Sequence, residues 1–328
     1  MLIEKLRSAR SIDGKFEKGL SANVAFLGLY NAEPHFNRLR SWIPNLQRVE
    51  GEQPCIILVD NASTDSTPDF MSEMTARLRQ LQWNVVTATN PINLGGWGSL
   101  QLNLDLLSDF SWVTTFHQDD IYELSHLREH IELCRSAATD LGLIASEANS
   151  VDLQGRKLGY PRGAWFAGAN MTSAEIFLAL IRSHYLPFSG GTFRMSFLEQ
   201  ADIPWTSTAF PDTEMLLRGL PGWKYMYTEQ PKVTYLENPH SESHSLGVQE
   251  RRHGATLALL RVFGGQGFAE LVSKIESEEF VAFCEKLHGA LEVRLGNSEL
   301  TRMVYAFALD VAVRSRIGSM GVYSHFEV

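Results

Sequence analysis

The chain is 328 residues long, with 29 Lys+Arg against 38 Asp+Glu and a formal net charge of -9. It is 44% hydrophobic and 20% charged, which excludes a disordered or fibrous chain. The acidic balance excludes a broad nucleic-acid footprint, which needs clustered cations, and no run approaches the ~20 apolar residues of a membrane span. The opening MLIEKLRSARSIDGKFEKGL has no apolar signal-peptide core. The three cysteines, Cys55, Cys134 and Cys284, are far apart in apolar segments and form no CxxC pair. They read as buried thiols of a reducing compartment, so a cytoplasmic protein is expected. Length alone suggests about two domains at ~150 residues each.

The first 150 residues alternate strand and helix patterns. Residues 23–30 (NVAFLGLY) read as a strand ending at polar Asn31, and Pro34 opens a helix through Phe36, Leu39, Trp42, Ile43 and Leu46. Residues 55–59 (CIILV) have no polar break, as in a strand covered on both faces. Thr67 is positioned to cap the next helix, with Pro68 at its first turn. A third strand at 83–89 leads into the glycine-bearing loop 90–99 (NPINLGGWGS) and a short helix. A fourth strand at 112–116 ends in His117-Gln118-Asp119-Asp120, followed by a helix through Leu124, Leu127, Ile131 and Leu133 and a strand at 141–146. The alternation predicts an α/β fold, a Rossmann-like, mainly parallel sheet flanked by helices.

Beyond Ser150 the pattern is less regular. Residues 152–157 read as a hairpin-like turn, 173–183 and 210–219 as helices, and 223–227 as a strand. From Leu246 onward the pattern is helical, with glycine breaks. The expected organisation is therefore an α/β domain over residues 1–245 and a helical C-terminal region over 246–328.

In a parallel sheet the ligand lies beyond the carboxyl ends of the strands. Four expected strands end there in polar residues: Asn31 with Glu33, Asp60 with Asp65, Asn93 through Trp97, and His117 through Asp120. Neither GxxxxGK[ST] nor GxGxxG is present. An acidic crevice facing a diphosphate needs a divalent cation between them. Mn²⁺ and Mg²⁺ take carboxylate and phosphate oxygens, and Asp119 and Asp120 suit that role.

The ordered segments VAFLGLYNAEP, IILVDNASTDSTP, NPINLGGWGSLQLN, WVTTFHQDD, FSGGTFR, FPDTEMLLRGLPGWKY and HSESHS resemble the family 2 glycosyltransferases of GT-A fold, over roughly residues 22–245. The resemblance implies a GT-A fold and an inverting transfer of sugar from a nucleotide-diphosphate donor, UDP- or dTDP-linked in preference, to a hydroxyl of a glycan, glycolipid or related acceptor. It implies base contact by Asp60, nucleotide contacts by Asn31 and Glu33, and a nucleotide-sugar loop at Asn93, Gly95, Gly96 and Trp97. It also implies metal ligation by Asp119, general-base catalysis by Asp212, and a metal- or diphosphate-reaching histidine at His240. Arg194 is a further candidate for the donor phosphate.

The chain departs from the family pattern at two acids. The first acid of the family's DxD motif is His117 here, expected with Gln118 at the nucleotide-sugar, where an imidazole can hydrogen-bond a ribose or ligate Mn²⁺. The Glu of its Glu-Asp pair is Pro211, which makes Glu214 a second candidate base. His240 and His244 share one segment, leaving open which faces the site. Those departures support an alternative, a donor-binding or scaffold protein without chemistry. A further rival is explicit. His126-Leu127-Arg128-Glu129-His130 matches HxxEH, the inverzincin pattern of a zinc metalloprotease, which also needs a third ligand. Trp165, Phe166 and Trp205 are acceptor-cleft or core residues. Arg302, Arg314 and Arg316 beside the apolar C-terminal set leave open a homo-oligomer or a peripheral membrane contact.

Overall fold

The computed structural model describes residues 2–16, 21–152, 154–159, 166, 171–182, 186–200, 211–220, 222–237, 248–296 and 298–319. Two compact units emerge: residues Met1–Ala167, Pro187–Glu199 and Tyr225–Glu237 form one, and Gly168–Leu186, Gln200–Lys224 and Asn238–Val328 the other. The C-terminal helices thus share their unit with two earlier segments of chain.

The first unit is built on strands β1 (Ser11–Asp13), β2 (Asn23–Leu29), β3 (Cys55–Asp60), β4 (Asn84–Thr89), β5 (Trp112–His117), β6 (Ile121–Tyr122), β7 (Leu141–Val151), β8 (Thr192–Arg194) and β9 (Lys224–Leu236). They form a nine-stranded sheet in the order β1-β4-β3-β2-β5-β8-β7-β9-β6. The centre, β4-β3-β2-β5, is parallel, as the alternation predicts. The flanks are antiparallel, β1 on β4, β8 on β5 and β7, and β6 on β9. Every residue of β3 is buried, which explains its unbroken apolar run.

Alternation along the strands sends two sets of side chains to opposite faces. An N-terminal helix, α1 (Leu2–Ala9), precedes the sheet. Ala25, Leu27, Leu29, Ile56, Leu58 and Val85 join a core with Leu39 and Trp42 of helix α2 (Phe36–Trp42) and Phe70, Met74 and Leu78 of α3 (Thr67–Gln80). On the other face, Gly28 lies against Ser99 of α4 (Gly95–Leu102). The expected cap at Thr67 is different in detail. Thr67 is the first residue of α3, its hydroxyl accepts from the Ala32 amide at 2.8 Å, and Asp65 takes the Thr67 amide at 3.0 Å. The glycines expected in a loop form the first turns of α4 instead. A short α5 (Leu104–Leu107) follows, and Arg10, just after α1, ties the two together: its guanidinium holds the Leu102 carbonyl at 2.8 Å and Asp105 at 2.6 Å. Helix α6 (His126–Arg135) connects β6 to β7.

In the second unit, α7 (Ser173–Ile181) carries a capping box between Thr172 and Glu175. Numbered on in chain order after the short α8 (Met195–Gln200), the unit also holds α9 (Pro211–Gly219), α10 (Val248–Phe263), α11 (Gln266–Ser273), α12 (Ser277–Leu295) and α13 (Glu299–Ser319). Phe177, Phe263 and Phe268 form its aromatic centre, with ring centroids 4.9–6.3 Å apart. Arg316 is not a free cation. It donates to the Val272 carbonyl and the Ser277 hydroxyl and lies over the Phe280 ring at 4.7 Å. Among the described residues no helix is long and apolar enough to cross a membrane.

Candidate functional site

Strands β3 and β4 extend the sheet from one side of β2, and β5 lies on the other side. The connections therefore diverge between β2 and β5, and that topological switch opens a crevice at the carboxyl ends of these two strands. Register places Gly28 opposite His117 and Leu29 opposite Asp60. The loops after β2, β3 and β5 thus start at one level.

Most polar groups of these loops hold each other. Asn31, with φ of 45°, donates its amide to Ser63 at 2.9 Å and accepts the Thr64 amide on its side chain at 2.8 Å. Glu33 takes the Ser66 hydroxyl at 2.9 Å, and its amide donates to Asp65 at 3.0 Å. Asp60 is 2% exposed, accepts the Ser63 amide at 3.1 Å, and lines a cavity of about 340 Å³ with Thr75, Arg79, Thr87 and Thr89. Asn93 accepts the Gly95 amide at 2.9 Å and the Asn61 amide group at 2.7 Å. Behind it Asn90 joins Asn61, Ser99 and Asn103 in a buried network at 2.9–3.1 Å. Gly95 has φ of 69°, and space around Gly96 is open. Trp97 is mostly buried, edge-on to Phe188 at 5.5 Å, and its indole N–H has no partner among the described residues.

The four residues after β5 divide into two kinds. Gln118 exchanges two hydrogen bonds with the backbone of Tyr30, at 2.8 and 2.9 Å, and staples the β2 and β5 loops together. Asp120 is 1% exposed, accepting the Leu236 amide at 3.2 Å on one oxygen and the Ser189 hydroxyl on the other. Burial, with Asp119's charge adding to it, pushes the Asp120 carboxyl up to about 6, against the opposing pull of His117 and these two donors. The His117 imidazole and the Asp119 carboxylate, by contrast, are half-buried and carry no hydrogen bond or ion pair within the described structure. One donor atom from each of His117, Asp119 and Asp120 lies within 4.8 Å of the others. Nitrogen and carboxylate oxygen at that spacing fit a divalent ion, and among the described residues this is the one such cluster.

Sequence reasoning missed what holds that turn. Arg38 of α2 donates to the Asp119 carbonyl at 2.6 Å. Nearby, burial pushes the His35 imidazole below its ordinary value; Asp119 opposes the shift and Arg38 adds to it. Tyr122 takes the His117 amide on its hydroxyl at 2.7 Å and meets Ser189 at 2.5 Å. The segment FSGG is recognisable as a motif, but its role follows only from β8 pairing beside β5, which brings residues 188–191 under the turn.

Two expectations are corrected, and the zinc rival is set aside. Arg194 pairs in register with Trp112, at the opposite end of β5 from His117, about 16 Å away at ~3.3 Å per residue. There it binds the Leu141 and Ala138 carbonyls at 2.7 Å and stacks over Trp112, so it is no phosphate ligand. Glu214 is fully buried and held by Arg261 through two bonds at 2.8 and 2.6 Å, which rules out a free base. The HxxEH histidines are core residues. His126 bonds the Gly190 carbonyl, and His130 uses both nitrogens on Thr192 and Ser146, all at 2.7 Å. Burial pushes His126 down to about 4 and His130 well below its ordinary value. With His130 saturated, the pair cannot hold zinc.

Asp212 lies in the first turn of α9, part-exposed, in the second unit, and accepts the Thr213 amide at 2.8 Å. His240, His244, Trp165 and Trp205 lie outside the described residues.

No family model and no curated protein sequence matches the chain. Solved structures do. S. aureus TarS 1-349 in complex with UDP-GlcNAc is 14% identical, with 93% of this chain and 94% of that one covered and a TM-score of 0.58. The mannosyltransferase PcManGT from Pyrobaculum calidifontis, in complex with GDP-Man and Mn2+, is 14% identical, with 96% and 92% covered and a TM-score of 0.51. The chain has the GT-A fold these glycosyltransferases share.

Proposed function

We propose that the chain is a metal-dependent, inverting glycosyltransferase of family 2 that transfers sugar from a nucleotide-diphosphate donor to a hydroxyl of a glycan or glycolipid. One observation carries the reading: the Asp119 carboxylate and the His117 imidazole, neither hydrogen-bonded nor ion-paired among the described residues, stand together at the switch point of a GT-A sheet most of whose other loop groups bind one another. The donors in the two similar structures, UDP-GlcNAc and GDP-Man, and the Mn2+ in the second, support it.

His117 and Asp119 would hold the ion, with Asp120 as the buried support beneath them. Imidazole plus carboxylate suits Mn²⁺ better than Mg²⁺. When bound, the ion neutralises charge on the departing diphosphate. Asp60 orients the base by accepting a ring N–H, which uracil, thymine and guanine all offer, so the preference for UDP or dTDP donors rests on the family resemblance alone. Asn93, Gly95, Gly96 and Trp97 border the nucleotide-sugar, and Asn31 and Glu33 shape the first loop. Asp212 takes the proton of the attacking acceptor hydroxyl as general base. Exposed apolar residues on α13, Leu300, Met303 and Phe307, support a subunit or membrane-surface contact as part of the same reading.

The test is a thermal-shift screen of nucleotides and nucleotide-sugars with and without Mn²⁺, followed by donor hydrolysis. A cognate donor at a hundredfold excess over Kd stabilises the protein by ~2.7 kcal/mol. Asp119→Asn should abolish the Mn²⁺-dependent part, and full donor stabilisation in chelator would overturn the metal assignment. Donor binding without turnover for any acceptor would instead favour the scaffold alternative.

A further inference from the structure

The residues after β5 rest on a buried chain of hydroxyls. Ser189 is 4% and Tyr122 3% exposed. The Asp120 carboxylate meets the Ser189 hydroxyl, Ser189 meets Tyr122, and the Tyr122 oxygen faces the His117 amide. The relay therefore joins the two ends of the residue 117–120 turn, the backbone of one proposed ligand and the carboxylate next to the other. The segment that supplies Ser189 is fixed in turn. The Gly190 amide donates to the Thr115 carbonyl at 2.7 Å, and the Thr115 hydroxyl donates to the Phe188 carbonyl at 2.9 Å. The Phe188 ring lies against both His117, at 5.8 Å, and Trp97, at 5.5 Å.

We infer that Ser189 and Tyr122 are positioning residues for the divalent-ion site: by gripping Asp120 and the His117 backbone they set the separation of the His117 imidazole and the Asp119 carboxylate. This rests on the glycosyltransferase reading only in assuming that the cluster binds a divalent ion. The physical warrant is general. Metal ligands on a short turn are as well placed as the groups behind them, and removing such a group costs about 10–100-fold in metal affinity. The relay is also fully buried, so water does not replace a deleted hydroxyl.

Mn²⁺ binding to the full chain, read from the EPR signal of the free ion without donor, tests the inference. Tyr122→Phe keeps the ring packed on Trp42, Phe116 and His126 and deletes only the hydroxyl. It should weaken Mn²⁺ about tenfold or more, and Ser189→Ala likewise. In the metal-free protein Tyr122→Phe should also speed hydrogen exchange of the His117 amide, which loses its acceptor. Thr114→Val deletes an equally buried hydroxyl, paired with Thr192 at 2.7 Å but outside the relay, and should leave Mn²⁺ affinity unchanged. Wild-type affinity and His117 exchange in Tyr122→Phe would overturn the inference and leave the metal reading intact. If Ser189→Ala does not fold, the Tyr122→Phe result decides alone. A wild-type protein that binds no Mn²⁺ would overturn both, a result visible before any variant is made.

Discussion

A β-carbon at position 190 would sit 2.8 Å from Val233 and 2.9 Å from the His126 ring, and the backbone there has φ of 76°. Both facts demand glycine. Gly190→Ala should cost about 2–4 kcal/mol, combining left-handed strain with overpacking. Urea unfolding measures it, and a loss below about 0.5 kcal/mol would mean that the β8 turn relaxes freely. The sequence shows two glycines in FSGG but cannot show that their neighbours are a histidine of α6 and a valine from β9. The same limit applies to the site acids. Asp119 and Asp120 are adjacent and chemically identical, and both look like ligands in the sequence. Only the fold separates them, by giving both Asp120 oxygens to Leu236 and Ser189 and none of Asp119's to any described residue. Arg194 is illegible for a related reason: a strand's direction decides which end of the sheet its last residue reaches, and β8 runs antiparallel to β5.

Elements are more legible than their polar contacts. The parallel centre follows from alternating apolar runs and amphipathic stretches, because burial on one or both faces is written in hydrophobic period. The asparagine network is not, since Asn90 and Asn103 look like ordinary loop and helix-end residues until α4 folds back over β2. Helix α6 shows the converse case, a motif legible in the sequence whose residues serve the core. Its histidines are two spacers in a buried face, stacked with centroids 4.3 Å apart. That has a pH consequence. His126 drops from 6.5 to about 4 on folding because burial disfavours its cation. A lowered folded value means stability present above pH 6.5 and lost as pH falls through 4. Asp120 works oppositely, since its folded value is raised to about 6, so it lends stability at low pH that fades as pH rises to 6. Comparison with His126→Gln isolates the first effect. The stability advantage of wild type should shrink by roughly 3 kcal/mol as pH falls from 6.5 to 4, at about 1.4 kcal/mol for each tenfold change in proton affinity. A constant gap across that range would show that His126 is charged in the native protein.

At the scale of the whole molecule, the chain forms two compact units that differ in how far their sequence can be read. The donor-side groups come from the first, whose β-α alternation makes them readable. The proposed base, Asp212, comes from the second, where irregular segments and helices give sequence patterns little hold on placement. The two acids of α9 allow a separation of function from stability. Glu214 is buried with both oxygens on Arg261, whose side chain is 29% exposed, so deleting its charge strands a partly buried cation. A buried pair broken from one side costs ~3–5 kcal/mol, and the partial exposure of Arg261 discounts this to about 2–3 kcal/mol. Glu214→Gln should therefore lower the melting temperature markedly while residual folded protein keeps its kcat. Asp212 is part-exposed at the helix start, where it accepts the neighbouring Thr213 amide. Asp212→Asn keeps that acceptor and should leave stability within about 0.5 kcal/mol, yet remove transfer to acceptor while donor binding by thermal shift persists. General-base loss predicts a fall of about 10²–10⁴ in kcat with little change in donor KM. If Asp212→Asn retains turnover, the proton must pass to another group, and the assignment of Asp212 as the base fails.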